Sequence, residues 1–85
     1  MVEKFKNSDY NKTILIAGFG SIGKRHTNIL LKHTKSKIVI FSRRSDISNN
    51  DFHNYENNKN RILIYNKIDD ALNCEPHVAF ITNNT

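Results

Sequence analysis

The segment Ile14-Leu15-Ile16-Ala17-Gly18-Phe19-Gly20-Ser21-Ile22-Gly23 constrains this chain more than any other. An apolar run comes first, then three glycines spaced G-x-G-x-x-G, then a stretch that reads as a helix. That order predicts a tight strand-to-helix turn able to hold a pyrophosphate. Gly18 permits the sharp turn, Gly20 lets backbone approach phosphate oxygens, and Gly23 lets the helix pack closely on the strand. The N–H groups of the first helical turn lack partners inside the helix and face the anion. Gly18, Phe19, Gly20, Ser21, Ile22 and Gly23 are therefore the candidate cofactor-binding turn.

The rest of the chain repeats the alternation. Thr13 to Ala17 reads as a strand covered on both faces, because nearly every position is β-branched or apolar. A helix is expected from about Ser21 to His33. Ile22, Ile29 and Leu30 share its predicted inward face, Leu31 lies on the flank, and Lys32 and His33 suit its negative end. Ile38 to Phe41 is a second buried strand, ending at Ser42. Residues 45–60 are polar and Asn-rich and read as a loop with at most one weak helical turn. Ile62 to Tyr65 forms a third strand. Asn66 is the expected cap of a short helix, with Asp69 and Asp70 in its first turn and Ile68, Ala71 and Leu72 facing inward. Pro76 stops that helix or opens the fourth strand, Val78 to Ile81.

Strands alternating with helices predict β-α-β units and right-handed crossovers. The expected fold class is α/β, a partial doubly wound (Rossmann) parallel sheet of about four strands in the order 3-2-1-4. A complete dinucleotide fold would add two further strands, and here the fourth would be left at an edge. The chain is therefore read as a fragment of a longer protein. Residues 1–12 are expected to be a flexible arm and residues 13–85 a partial dinucleotide-binding domain, with the C-terminal strands and a substrate domain absent.

Composition narrows the function classes. Thirteen Lys and Arg against eight Asp and Glu leave a net charge of +5, which fits either a soluble surface with excess lysine or an anionic partner. No long basic block exists, and no aromatic residues alternate with the cations as a nucleic-acid stacking platform needs. Nucleic acid is not an expected partner. The single Cys74 excludes an internal disulfide and fits a reducing compartment. No apolar run approaches the roughly 20 residues needed to span a bilayer, and Met1 to Lys6 lack the apolar core of a secretory signal. A cytoplasmic protein without membrane contact is expected. His33, His53 and His77 show no ligand spacing with Cys74, so no metal site is assigned. Cys74 has no obvious base beside it, and His26 lies on the helix behind the turn with a packing or hydrogen-bonding role; no catalytic residue is assigned.

The end of the second strand decides between NAD and NADP. An acid about 20 residues past the glycines accepts hydrogen bonds from the ribose 2′-OH. This chain carries Ser42-Arg43-Arg44 there, and its nearest acid, Asp46, stands beyond the strand tip. A guanidinium pairs with a 2′-phosphate, and a serine hydroxyl adds a hydrogen bond. NADP is therefore expected over the alternative, NAD, with Arg44 also able to lie over the adenine. Thr82, Asn83 and Asn84 follow the fourth strand, at the carboxyl edge where open α/β sheets bind ligands, and are candidates for the nicotinamide side.

The run from Ile14 to His26, with Gly18-Phe19-Gly20-Ser21-Ile22-Gly23-Lys24-Arg25-His26 at its centre, resembles the N-terminus of the Gfo/Idh/MocA oxidoreductases. Asp69-Asp70-Ala71-Leu72 and Pro76 to Thr85 look like the next landmarks of that family, except that Asn84 stands where it usually has proline. The resemblance implies an NAD(P)-dependent dehydrogenase or reductase that moves a hydride to or from a sugar, nucleotide sugar or polyol. It also implies that the catalytic lysine segment and the substrate domain lie beyond this chain, that the fragment alone is inactive, and that the full-length form is a homo-oligomer. Rival readings are a non-catalytic redox-sensing nucleotide-binding module, an S-adenosylmethionine methyltransferase and a basic nucleic-acid binder. Arg43 argues against the methyltransferase, whose ribose normally needs an acid there.

Overall fold

In the computed structural model residues 12–82 are described. Four strands, β1 (Thr13–Ala17), β2 (Lys37–Phe41), β3 (Ile62–Tyr65) and β4 (Val78–Ile81), form one sheet. All pairs are parallel and the order is β3-β2-β1-β4. Three helices connect them: α1 (Ser21–His33), α2 (Tyr55–Asn58) and α3 (Ile68–Leu72). The expected α/β class and strand order are both present. Most of the expected N-terminal arm lies outside the described residues. Lys12 is inside them, and its carbonyl accepts from the Lys37 N–H at 3.1 Å, extending the β1–β2 ladder.

Register decides which side chains share a face. Ile14 stands opposite Ile38 and Val78, and Ile16 opposite Ile40 and Phe80. The two-residue period then sends Ile14, Ile16, Ile38, Ile40 and Ile62 to one face. There they form a core with Leu31 of α1, Phe19 and Phe52. Leu15 and Val39 point the other way and meet Ala71 of α3. Helices therefore cover both faces of the sheet at β1 and β2, which is why those two strands read as continuous apolar runs, whereas every residue of β4 is exposed. Each isoleucine so buried contributes about 1.5–3 kcal/mol relative to exposure.

Helix α1 presents a different face from the expected one. Gly23, Thr27 and Leu31, four residues apart, are its buried row, and Leu30 is half-buried. Ile22 and Ile29 are 48% and 49% exposed. Gly23 brings the helix close to the end of β1, and close approach selects the row with the smallest residues. On the β4 side the His26 ring stacks on Phe80 with centroids 5.7 Å apart. This is the packing role expected of His26. Helix α3 behaves similarly: Ala71 is fully buried, while Ile68 and Leu72 are exposed. Its N-cap is Lys67 rather than Asn66.

The Asn-rich segment carries more structure than its composition suggests. A 3-10 turn at Asn49–Asp51, helix α2 and a second 3-10 turn at Lys59–Arg61 run along the α1 side of the sheet. Phe52 is buried, and its ring lies 5.4 Å from that of Phe19 and 6.0 Å from Tyr55. One aromatic residue anchors a polar loop into the core. Arg61 closes the end of α1, donating to the carbonyls of Leu31, Thr34 and Ser36 at 2.8–2.9 Å and to Asn58 Oδ1 at 2.8 Å. Of these, the Leu31 and Thr34 carbonyls are acceptors that a helix leaves open at its C-terminus.

Candidate functional site

The site forms at the carboxyl edge of the sheet, between the ends of β1, β2 and β4. Chain topology places it there. β1 feeds α1 to one side and β3 feeds α3 to the other, so the strand order reverses next to β1 and a crevice opens. The crevice has a volume of about 570 Å³ and is lined by Ala17, Gly18, Ser42, Arg43, Arg44 and Ile81, among others.

Gly18 turns the chain with φ 99°, in the left-handed region that glycine enters without strain. Its N–H donates to the Phe41 carbonyl at 2.8 Å, which fastens the turn to β2. Gly20 is the N-cap of α1 in extended conformation, with no side-chain cap. The first intrahelical bond is Lys24 N–H to the Gly20 carbonyl, at 2.9 Å. The N–H groups of Ser21, Ile22 and Gly23 precede that bond and are left for an external acceptor. No acidic side chain occupies the first turn to take that place. A Cβ on Gly23 would lie 2.1 Å from the Gly18 carbonyl oxygen and 3.3 Å from Thr82 Oγ1, so only glycine fits there.

The other predicted residues have definite places. The Phe19 ring is buried in the core, so only its backbone belongs to the turn. Thr82 ties β4 to the turn: its N–H donates to the Ala17 carbonyl at 3.0 Å. Its Oγ1 lies 3.1 Å from both the Ala17 and Gly18 carbonyls. The hydroxyl thus braces the glycine turn from behind. Asn83 and Asn84 lie outside the described residues.

At the tip of β2 the three candidates differ. Ser42 is buried, its N–H donates to the Tyr65 carbonyl at 3.0 Å, and its Oγ accepts from the Arg44 N–H at 3.2 Å. Arg43 is exposed on the crevice and makes no hydrogen bond or ion pair among the described residues. Arg44 is held from two sides. Its Nε and Nη2 donate to the two carboxylate oxygens of Asp46, each at 3.0 Å, and its Nη1 donates to the Phe19 carbonyl at 2.9 Å. The hydrogen bond to Asp46 raises the Arg44 pKa, and the same bond lowers that of the Asp46 carboxyl. The Arg44–Asp46 clamp was not read from the sequence. Its one signal was Arg-x-Asp directly after a strand.

Lys24 has a structural partner, with Nζ 3.0 Å from Asp51 Oδ1. Cys74 is half-buried with Sγ 3.7 Å from the Tyr65 hydroxyl. Among the described residues no group of three His, Cys, Asp or Glu side chains could hold a metal ion. No helix there is long and apolar enough to cross a membrane. The arrangement brings a glycine bend with open N–H groups, the exposed Arg43 and the Asp46-paired Arg44 to one crevice. No family model, curated protein or solved structure matches the chain.

Proposed function

We propose that this chain is the N-terminal, cofactor-binding part of an NAD(P)-dependent oxidoreductase. The dinucleotide's pyrophosphate rests on the amides of Gly20, Ser21, Ile22 and Gly23, and its adenosine ribose lies at Ser42, Arg43 and Arg44. NADP is preferred over NAD, because Arg43 faces the crevice with its charge uncompensated. When bound, the cofactor supplies hydride transfer to or from a sugar, nucleotide sugar or polyol, whose pocket belongs to the rest of a full-length homo-oligomeric protein in the cytoplasm. The Gfo/Idh/MocA-like run from Ile14 to His26 supports that substrate class.

One observation carries the reading: Gly23 sits so close to the Gly18 carbonyl that a Cβ there would clash with backbone and no side chain fits. A helix pressed this tightly on a glycine turn, with unpaired N–H groups over a crevice, supports a phosphate-binding reading. The test is a titration of the ¹⁵N-labelled 85-residue chain with NADPH and NADH. Shifts of the Gly20, Ser21, Ile22 and Gly23 amides, saturating at lower NADPH than NADH, are expected. Unmoved glycine amides at millimolar dinucleotide would overturn the assignment. No turnover is expected from this chain with NADPH and a sugar ketone.

A further inference from the structure

We propose that Asp46 is a specificity-determining residue, which sets the choice between adenosines with and without a 2′-phosphate by holding Arg44. The inference rests on the dinucleotide reading above and concerns the regulation of that same crevice.

An arginine reads phosphate through paired N–H groups along one edge of its planar fork. Arg44 has five such donors. The Nε/Nη2 edge is taken by both oxygens of Asp46, and Nη1 is turned to the Phe19 carbonyl. Three donors are engaged, and the best bidentate edge is closed to a ligand. The charge is compensated as well, since the Asp46 carboxylate lies 3.0 Å from Nη2. Arg44 is therefore tied to Asp46 and to the Phe19 carbonyl of the glycine turn, while Arg43 is left as the available cation.

The clamp is local and replaceable. The Asp46 side chain is 69% exposed, and its carboxylate takes two hydrogen bonds from Arg44. An amide at this position cannot hold the guanidinium by charge, so Arg44 becomes available to a 2′-phosphate. Arg44 holds the Asp46 carboxyl below its usual range, so the clamp is intact at neutral pH.

The experiment measures NADPH and NADH affinities of the 85-residue chain by NMR titration, for wild type, Asp46→Asn, Arg44→Ala and the double variant. Asp46→Asn is expected to raise the NADPH:NADH affinity ratio about tenfold, the scale of one added charge-assisted hydrogen bond. The same substitution in the Arg44→Ala background is expected to leave the ratio unchanged. An unchanged ratio in Asp46→Asn, with dinucleotide still bound, overturns this inference and spares the cofactor reading. An equal rise without Arg44 overturns it too, because plain charge removal then explains the effect. Failure of every variant, wild type included, to bind either dinucleotide sinks both.

Discussion

The guanidinium of Arg61 donates to the Leu31 carbonyl at 2.9 Å, joining two residues 30 apart in sequence. Together with its bonds to Thr34 and Ser36 it forms the C-terminal cap of α1 and fixes where the chain turns back into β2. Burial lowers the Arg61 pKa, and carbonyls and an amide oxygen, not a carboxylate, are its recorded acceptors. Arg61→Ala is expected to lower the unfolding free energy by about 1.5–3 kcal/mol, the scale of charge-assisted hydrogen bonds lost around a half-buried group. Arg61→Lys should recover less than half, since one ammonium cannot reproduce a planar fork. Urea unfolding midpoints check both, and a loss under 0.5 kcal/mol (roughly the weakest net hydrogen bond) would contradict the cap.

Gly23→Ala tests the bend directly. The new methyl meets backbone rather than a movable side chain, so α1 must shift away from β1. The expected cost is about 1–3 kcal/mol, typical of overpacking, together with loss of the dinucleotide-induced amide shifts. Gly23→Ala with wild-type stability and wild-type titration would show that close packing is dispensable.

Glu75 offers a stabilising change. It follows α3 with φ 54°, in the left-handed region that costs L-residues about 1–2 kcal/mol. Glycine enters that region freely. Glu75→Gly is therefore expected to raise stability by about 1 kcal/mol, read as a higher thermal midpoint. An unchanged or lower midpoint would mean that the Glu75 conformation carries no strain.

Acid sensitivity follows from Asp51. The Ser48 N–H, at 2.9 Å, and then Lys24 hold its carboxyl below the ordinary 3.8. The unfolded chain therefore binds more protons than the folded chain in this range, and stability rises with pH there. The contribution is present above pH 3.8 and is lost as pH falls through the folded-state value. Asp51→Asn should lower stability at pH 6, with the gap to wild type closing below pH 3.8. A gap that stays constant down to pH 2 (roughly the lower end of carboxylate titration) would exclude this linkage.

The sequence by itself determined the four strands, their order and the glycine turn. Unbroken apolar runs at Ile14–Ile16 and Ile38–Ile40 suit strands buried on both faces, and three glycines at that spacing suit a strand passing sharply into a helix. Tertiary structure alone decided which side chains these elements use. The inward row of α1 passes through Gly23 and Thr27 instead of Ile22 and Ile29, because the distance between helix and strand, not hydrophobicity, selected it. Phe52 entered the core from a polar loop because a space lay beside Phe19. Arg44 turned to Asp46 and to the Phe19 carbonyl because the bend after β2 set all three within reach. Such pairings depend on distances across the fold, which a one-dimensional pattern does not contain.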